Sequence, residues 1–260
     1  MKRIALYLAE AIYFLPRTTF EAYQLYRWKG VYLVLCSWVF RGMPLPLTNT
    51  PWGKFHSWSE AMNFIDNFAM KELRCEEVEQ AVKMEDAPVV IDLGVNVGIT
   101  IRWWLALSPK VSVIGVDMIQ EALDFTTSRI ASADQTRWIP ICGAIGKASG
   151  DTRLYFDDPL EGTSNLHTKA GKHVRNVTVK PLDQWLGNQL PKEVTLLKID
   201  IEGYGATALQ GADELLARTR YVVLEVHDGQ ELADADRCLS AKGFHVLAFH
   251  GRTIWWKRST

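Results

Sequence analysis

Val89-Val90-Ile91-Asp92-Leu93-Gly94-Val95-Asn96-Val97-Gly98-Ile99-Thr100 decides how this chain is read. Three β-branched residues lead into an acid, a loop punctuated by glycines follows, and a helical pattern runs from Ile99 to Leu107. That order predicts a buried parallel strand, a tight turn and a helix start. Gly94 and Gly98 let the backbone turn sharply and let a ligand approach where a Cβ would clash. The unpaired N–H groups of the new helix end then face whatever lies over the loop.

A dinucleotide-binding loop would read G-x-G-x-x-G. Here the spacing is G-x-x-x-G, and Asp92, two residues before Gly94, would repel a pyrophosphate. It would attract a cation such as an α-ammonium group. The pattern Asp-x-Gly-x-x-x-Gly resembles that of S-adenosylmethionine-dependent methyltransferases of the Rossmann-like class. A nicotinamide-dependent oxidoreductase is the competing cofactor reading, disfavoured by the glycine spacing. A glycine-rich turn with no ligand is the plain structural one.

Outward from this stretch, the texture from Pro88 onward alternates strands and helices, an α/β pattern that implies a parallel sheet covered on both faces. Strands are expected at 89–93, 112–116, 137–142, 194–199, 221–226, 244–249 and 253–258, and helices at 99–107, 119–131, 181–187, 205–218 and 230–242. His250-Gly251-Arg252 is short enough to join the last two strands as an antiparallel hairpin. The expected fold is therefore a seven-stranded, mostly parallel sheet ending in that hairpin, over residues 86–260. The order of the earlier strands stays open.

Residues 1–85 read as a helical, aromatic-rich extension with breaks at Pro16, at Gly30 and in the proline-rich segment 44–51. Ser57 to Phe68 and Lys71 to Met84 carry helical patterns. Met1-Lys2-Arg3 before Ile4–Leu15 resembles a short signal sequence, but Glu10 interrupts it and no small-residue cleavage site follows. Val31–Phe40 is a ten-residue apolar run, too short to span a bilayer. Residues 1–42 are either a pair of core helices or a surface touching a membrane or lipid-linked substrate. The second reading rests on Tyr7, Tyr13, Phe14, Tyr23, Tyr26, Trp28, Tyr32, Trp38 and the flanking basic residues.

A net charge of −1 over 260 residues gives no electrostatic case for nucleic acid. Cys36, Cys75, Cys142 and Cys238 are scattered, without C-x-x-C or zinc spacing, and read as reduced thiols of a cytoplasmic protein.

Candidate site residues lie at the ends of strands. Asp117 closes the second core strand, where a carboxylate can accept both ribose hydroxyls of a nucleoside or cap the next helix. Cys142-Gly143-Ala144 offers small residues that leave room for an adenine ring. Lys198, Asp200 and Glu202 share one face by the two-residue period, where a buried strand should be apolar. Glu225 and His227 repeat the oddity on the next strand. If those strands are neighbours, Asp200, Glu202, Glu225 and His227 converge beside the glycine loop, either as a catalytic cluster or as a structural salt-bridge network. Their spacing also suits an oxygen-and-imidazole metal site, with no triad firm enough to assign.

VVIDLGVNVG, LLKIDIEGYGATALQGA and YVVLEVH together resemble the FkbM-type S-adenosylmethionine-dependent methyltransferases, over roughly residues 88–250; PLDQWL (181–186) and GTSNL (162–166) are similar to family segments as well. The resemblance implies a Rossmann-like class I methyltransferase fold and methyl transfer to a hydroxyl of a sugar, glycolipid or secondary metabolite. It implies that Asp92, Gly94, Asn96 and Gly98 hold the methionine part of the cofactor. Asp117 then holds the ribose, with Met118 beside it where the family often has Glu-Pro. Asp200, Glu202, Glu225 and His227 line the reaction side, with His227 or Asp200 as general base. The family usually carries an acid at the position of Gly205, so any role of that acid is absent here. The expected partner is a small-molecule or glycan acceptor, and a divalent metal is an optional assistant. The other class of function is a non-catalytic membrane- or partner-binding module on the same fold.

Overall fold

A computed structural model describes residues 2–39, 49–50, 53–55, 58–160 and 171–259. Its contacts divide the chain into two units, Met1–Arg74 and Cys75–Thr260.

The first unit starts with α1 (Lys2–Val39). Strands β1 (Asn49–Thr50) and β2 (Gly53–Lys54) form a small antiparallel pair, and α2 (Trp58–Phe64) runs into a π-helical turn at Ile65–Ala69. Neither expected break in α1 falls where the sequence placed it. Pro16 lies inside the helix without ending it, because it removes one hydrogen bond and the flanking turns carry the helix on. The break comes at Tyr26 and Arg27, whose backbones leave helical geometry (φ −142°, ψ 16° and φ 54°, ψ −145°). Gly30 instead marks a close approach, since a Cβ there would lie 2.1 Å from the carbonyl oxygen of Ala22. Buried Phe55, Phe64 and Phe68 form the centre of this unit, with ring centroids 5.3 and 6.0 Å apart. The loop expected at 44–51 lies outside the described residues apart from β1, as does 162–166. Among the described residues no helix is long and apolar enough to cross a membrane.

The second unit begins with α3 (Glu76–Met84), which packs against the sheet and its first core helix, so the division falls at Arg74 and not at residue 85. Then follow β3 (Val89–Leu93), α4 (Ile99–Leu107), β4 (Ser112–Asp117), α5 (Gln120–Arg129) and β5 (Trp138–Cys142). Next come β6 (Ala144–Ile145), β7 (Gly150–Phe156), β8 (His173–Lys180), α6 (Leu182–Leu186) and β9 (Val194–Ile199). The chain ends with α7 (Gly205–Leu209), α8 (Asp213–Leu216), β10 (Thr219–Glu225), α9 (Gly229–Ser240), β11 (Phe244–His250) and β12 (Thr253–Arg258).

Seven strands form one sheet in the order β11-β12-β10-β9-β3-β4-β5. The pairs from β5 to β10 are parallel, and β12 is antiparallel to both its neighbours. This is the expected class I arrangement, with its C-terminal hairpin. The apolar runs of β3, β4, β9 and β10 are buried because helices cover both faces. The order in which strands are added reverses at β3, with β4 on one side and β9 on the other, and ligand crevices in such sheets open at the carboxyl ends of the strands there.

Two features were not anticipated. β6, β8 and β7 form a separate three-stranded sheet, covering a small cluster of Ile119, Ala122, Ala144, Leu154, Phe156 and Val177. The helix expected at 205–218 divides into α7 and α8 at Ala212, whose backbone leaves helical geometry (φ −131°, ψ 36°); beside it Gly211 packs so closely that a Cβ would lie 2.7 Å from the Gly146 carbonyl oxygen.

Gly115 in β4 faces the Trp138 ring, which a Cβ would meet at 2.3 Å. Gly115→Ala is therefore expected to lower stability by about 1–3 kcal/mol, read as a reduced urea midpoint at constant slope. Gly150→Ala, where nothing lies within 4 Å of the added carbon, is the matched control and moves the midpoint little.

Candidate active site

β3 and β9 are in register with Asp92 opposite Lys198. Both side chains are buried, Asp92 to 0 % exposure, and the Lys198 ammonium lies 2.8 Å from Asp92 Oδ1. The same ammonium donates to the carbonyl of Gly94 at 2.8 Å and lies 3.5 Å from Asp200 Oδ2. The Thr100 hydroxyl donates to Asp92 Oδ2 at 2.6 Å. Burial works against the Lys198 charge, but Asp92 and Asp200 outweigh it and hold the lysine above its ordinary pKa. Burial likewise pushes the Asp92 carboxyl up, with Lys198 and Thr100 pulling against it. The cation that Asp92 was expected to attract from a ligand is thus supplied by the protein itself.

The glycine turn is built for close approach, though first of all to protein. Gly94, Asn96 and Gly98 have φ of 82°, 51° and 70°. A Cβ on Gly94 would lie 1.8 Å from the carbonyl oxygen of Asp200, and one on Gly98 would lie 2.4 Å from the Thr126 side chain. The turn after β3 and the turn after β9 therefore abut. Asn96 Oδ1 is buried and accepts no hydrogen bond from the described residues, which leaves an acceptor in the turn for a ligand's donor.

Asp117 ends β4 on the other side of this turn. Its carboxylate accepts from the backbone N–H of Asn96 at 3.1 Å and of Ile119 at 2.8 Å. Burial pushes this carboxyl up and outweighs those backbone donors. Partly exposed Met118 packs against the small cluster beneath the second sheet, of which buried Ala144 is a member. The space expected beside Gly143 is filled: a Cβ there would lie 2.1 Å from the Trp185 ring, whose indole N–H donates to the Ala144 carbonyl at 2.8 Å.

The four reaction-side candidates come together because β9 and β10 are parallel neighbours. They do not share a strand face, however. β9 ends at Ile199 and β10 at Glu225, so Glu202 and His227 stand on the turns beyond. Positive φ at Glu202 (50°) and Gly203 (84°) folds that turn back toward His227. His227 Nε2 lies 3.3 Å from Glu202 Oε2, and Nδ1 lies 3.5 Å from Glu231 Oε2. Glu225 hydrogen-bonds with Asp200; burial and that neighbouring acid push its pKa up to about 7, while Arg252 opposes them. Glu202 is pushed up by burial and by Asp200.

Two members of the site escaped the sequence reading. Glu231 is buried and accepts from the backbone N–H of His227 at 2.8 Å and of Gly205 at 2.9 Å, tying the end of β10 to the start of α7. Its signal was present: Asp228-x-x-Glu231 has capping-box spacing, and Asp228 Oδ1 accepts from the Glu231 N–H at 2.8 Å. A Cβ on Gly205 would lie 2.2 Å from Leu224 Cδ1 and 3.1 Å from Glu231 Oε1, so a larger residue there would press on Leu224 first and on this carboxylate next. Arg252, on the hairpin turn, lies 2.5 Å from Glu225 Oε1. Chemically the cluster offers an imidazole held between two carboxylates, an acid able to titrate near neutrality, and a net negative surround suited to a cationic ligand. No group of three His, Cys, Asp or Glu among the described residues is arranged to hold a metal ion.

The family described as Methyltransferase FkbM domain matches residues 114–246, just over half of the chain. The hexuronic acid methyltransferase AglP of Haloferax volcanii is 24% identical over 66% of this chain and 70% of its own length. The 2-O-methyltransferase NoeI of Sinorhizobium fredii is 24% identical over 59% of this chain and 69% of its own. Among solved structures, the fibrillarin pre-rRNA processing protein of Methanococcus jannaschii superposes with a TM-score of 0.42 at 12% identity, covering 67% of this chain and 66% of that one.

The buried pair and the raised acid carry separate expectations. Lys198→Met leaves Asp92 buried without a counter-charge and is expected to cost about 3–5 kcal/mol in chemical denaturation. Glu225 has a folded pKa of about 7 against an ordinary 4.5, so the folded state holds the extra proton between those values. Its contribution to stability is complete below about 4.5 and is lost as pH rises through 7. Glu225→Gln should flatten the fall in thermal midpoint across that window, measured by calorimetry at a series of pH values.

Proposed function

Because the chain belongs to the FkbM methyltransferase family, we propose that it transfers a methyl group from S-adenosylmethionine to a hydroxyl oxygen of a glycan or small-molecule acceptor. The observation that carries this reading is the meeting of the glycine turn with the Asp200–Glu225–His227 cluster at the carboxyl ends of β3, β9 and β10. The two relatives, named for a hexuronic acid and for 2-O-methylation, support oxygen as the acceptor atom and a sugar as the acceptor class.

The residues fit the cofactor on two counts: the turn leaves a buried acceptor unfilled at Asn96, and the surrounding carboxylates complement a positive charge. Asn96 and the backbone from Gly94 to Gly98 would hold the methionine end. Asp92 would act on that end by fixing the turn through Lys198 and Thr100. Asp117 would hold the ribose with the acceptor capacity its two backbone donors leave over. Met118, Gly143 and Ala144 would bound the adenine end, with Trp185 behind Gly143 in place of open space. When bound, S-adenosylmethionine supplies a methyl group on a positively charged sulfur.

An acceptor hydroxyl must lose its proton as it becomes the nucleophile, and a positioned base is worth roughly 10²–10⁴-fold. His227 takes that role. Carboxylates flank both ring nitrogens, Glu231 Oε2 lying 3.5 Å from Nδ1, so the ring that takes the acceptor's proton stands between two negative charges. Glu202, 3.3 Å from Nε2, then stabilises the imidazolium that forms. Asp200 and Glu225 orient the acceptor's remaining hydroxyls, alignment being a large share of what a displacement of this kind asks of a protein.

His227→Gln is expected to lower kcat roughly 10²–10⁴-fold on a hexuronic acid or hexose acceptor, with product read by mass spectrometry. Binding of S-adenosylhomocysteine, measured by calorimetry, should stay unchanged. Full turnover in this variant would place the base elsewhere, and NADH binding in place of S-adenosylhomocysteine would remove the methyl-transfer reading altogether.

A further inference from the structure

The first unit carries a surface that methyl transfer does not use. Where α1 breaks at Tyr26 and Arg27, the Tyr26 ring turns inward and is buried, while Arg27, Trp28 and Lys29 are exposed at the corner. Trp28 is 75% exposed and makes an edge-to-face contact with Tyr23, their centroids 5.3 Å apart. Beyond the corner, Trp28, Tyr32 and Leu35 follow one another at helical spacing, and Tyr32 and Leu35 are 39% and 38% exposed. Before the corner, Arg17 and Phe20 are exposed on the same turn, Phe20 to 59%. Apolar side chains in this setting are a cost to the free protein unless something covers them.

Charge points to what covers them. Residues 1–74 hold nine Lys and Arg against five Asp and Glu, a net +4, while the rest of the chain sums to −5. The overall near-neutrality thus hides a basic, aromatic first unit. We propose that the α1 corner, Arg27-Trp28-Lys29 with Phe20, Tyr32 and Leu35, docks on a membrane surface bearing anionic lipid. Tryptophan and tyrosine rings settle at the headgroup level, where one edge is wet and the other apolar. The flanking cations reach lipid phosphates, and long basic side chains keep their stems along the apolar boundary. α1 would lie in the interface and not cross it, in keeping with its lack of a spanning apolar run. The proposal stands independently of the chemistry at His227.

Co-sedimentation of the full-length chain with sucrose-loaded vesicles tests it. Binding is expected to phosphatidylcholine–phosphatidylglycerol vesicles and not to pure phosphatidylcholine, and to weaken with added salt. Trp28→Ala and the double change Arg27→Glu with Lys29→Glu should each cut partitioning about tenfold or more. Trp28→Tyr should restore most of it, and circular dichroism should show all variants folded. Equal binding to both vesicle types, or variants that bind like the unaltered chain, would overturn the proposal. A soluble dimer detected by sedimentation equilibrium and lost in Trp28→Ala would overturn it too, by assigning the corner to a second copy of the chain.

Discussion

The Lys198 ammonium is the point on which the second unit depends. It sits in the middle of a parallel sheet, where a bare charge would be prohibitively costly, and it is tolerated because every side of it is answered. Asp92 faces it across the ladder, the carbonyl of Gly94 accepts from it, and Asp200 stands at the edge of its reach. Each partner belongs to a different piece of the site: the strand before the glycine turn, the turn itself, and the turn after β9. One buried cation therefore sets the separation of the elements that carry the cluster. A hydrophobic pair in its place could hold the strands together as well, but it would not fix the two turns to each other.

From that fixed point the rest of the cluster is assembled by backbone, not by strand alternation. Glu202 reaches His227 only because the chain after β9 adopts positive φ at two successive residues. His227 is placed by its own N–H on Glu231, which also receives the N–H of Gly205. A single buried carboxylate thus ties the backbone at the imidazole to the start of the following helix, where a Cβ on Gly205 would meet Leu224 Cδ1 at 2.2 Å before it reached Glu231. Arg252 closes the far side from the hairpin turn, so the antiparallel strand β12 contributes to the site although it carries no candidate of its own.

Much of this was legible beforehand. Runs such as Val89–Leu93 and Leu196–Ile199, bounded by turn residues, read as buried strands, and all seven strands of the main sheet fell close to their expected positions. Charged residues at the ends of two such strands pointed to the cluster that the turns after β9 and β10 bring together. What escaped had weaker local signals. β7 and β8 bury one side only, against a small cluster, so Leu154, Phe156 and Val177 stand among polar neighbours and give no long apolar run. Gly30 and Gly143 looked like a break and an open space; each is a place where another part of the protein comes close, and a sequence shows the missing Cβ without showing what fills the gap. The pairing of Asp92 with Lys198 was beyond reach for a related reason. Both residues were singled out, but their register depends on which strands are neighbours, and strand order is a property of the whole sheet.

The same geometry bears on the choice between His227 and Asp200 as base in the proposed reaction. Asp200 is already engaged on two sides, 3.5 Å from the Lys198 ammonium and hydrogen-bonded with Glu225. A proton arriving there would disturb the arrangement that holds β3 and β9 in place. His227 stands outside that arrangement: its neighbours are carboxylates, both of which gain from a positive ring. A proton at His227 therefore lies between two carboxylates, whereas one at Asp200 would take a partner from Lys198. A fold that keeps one buried cation fixed by acids near its centre has reason to keep its moving proton one turn away from them.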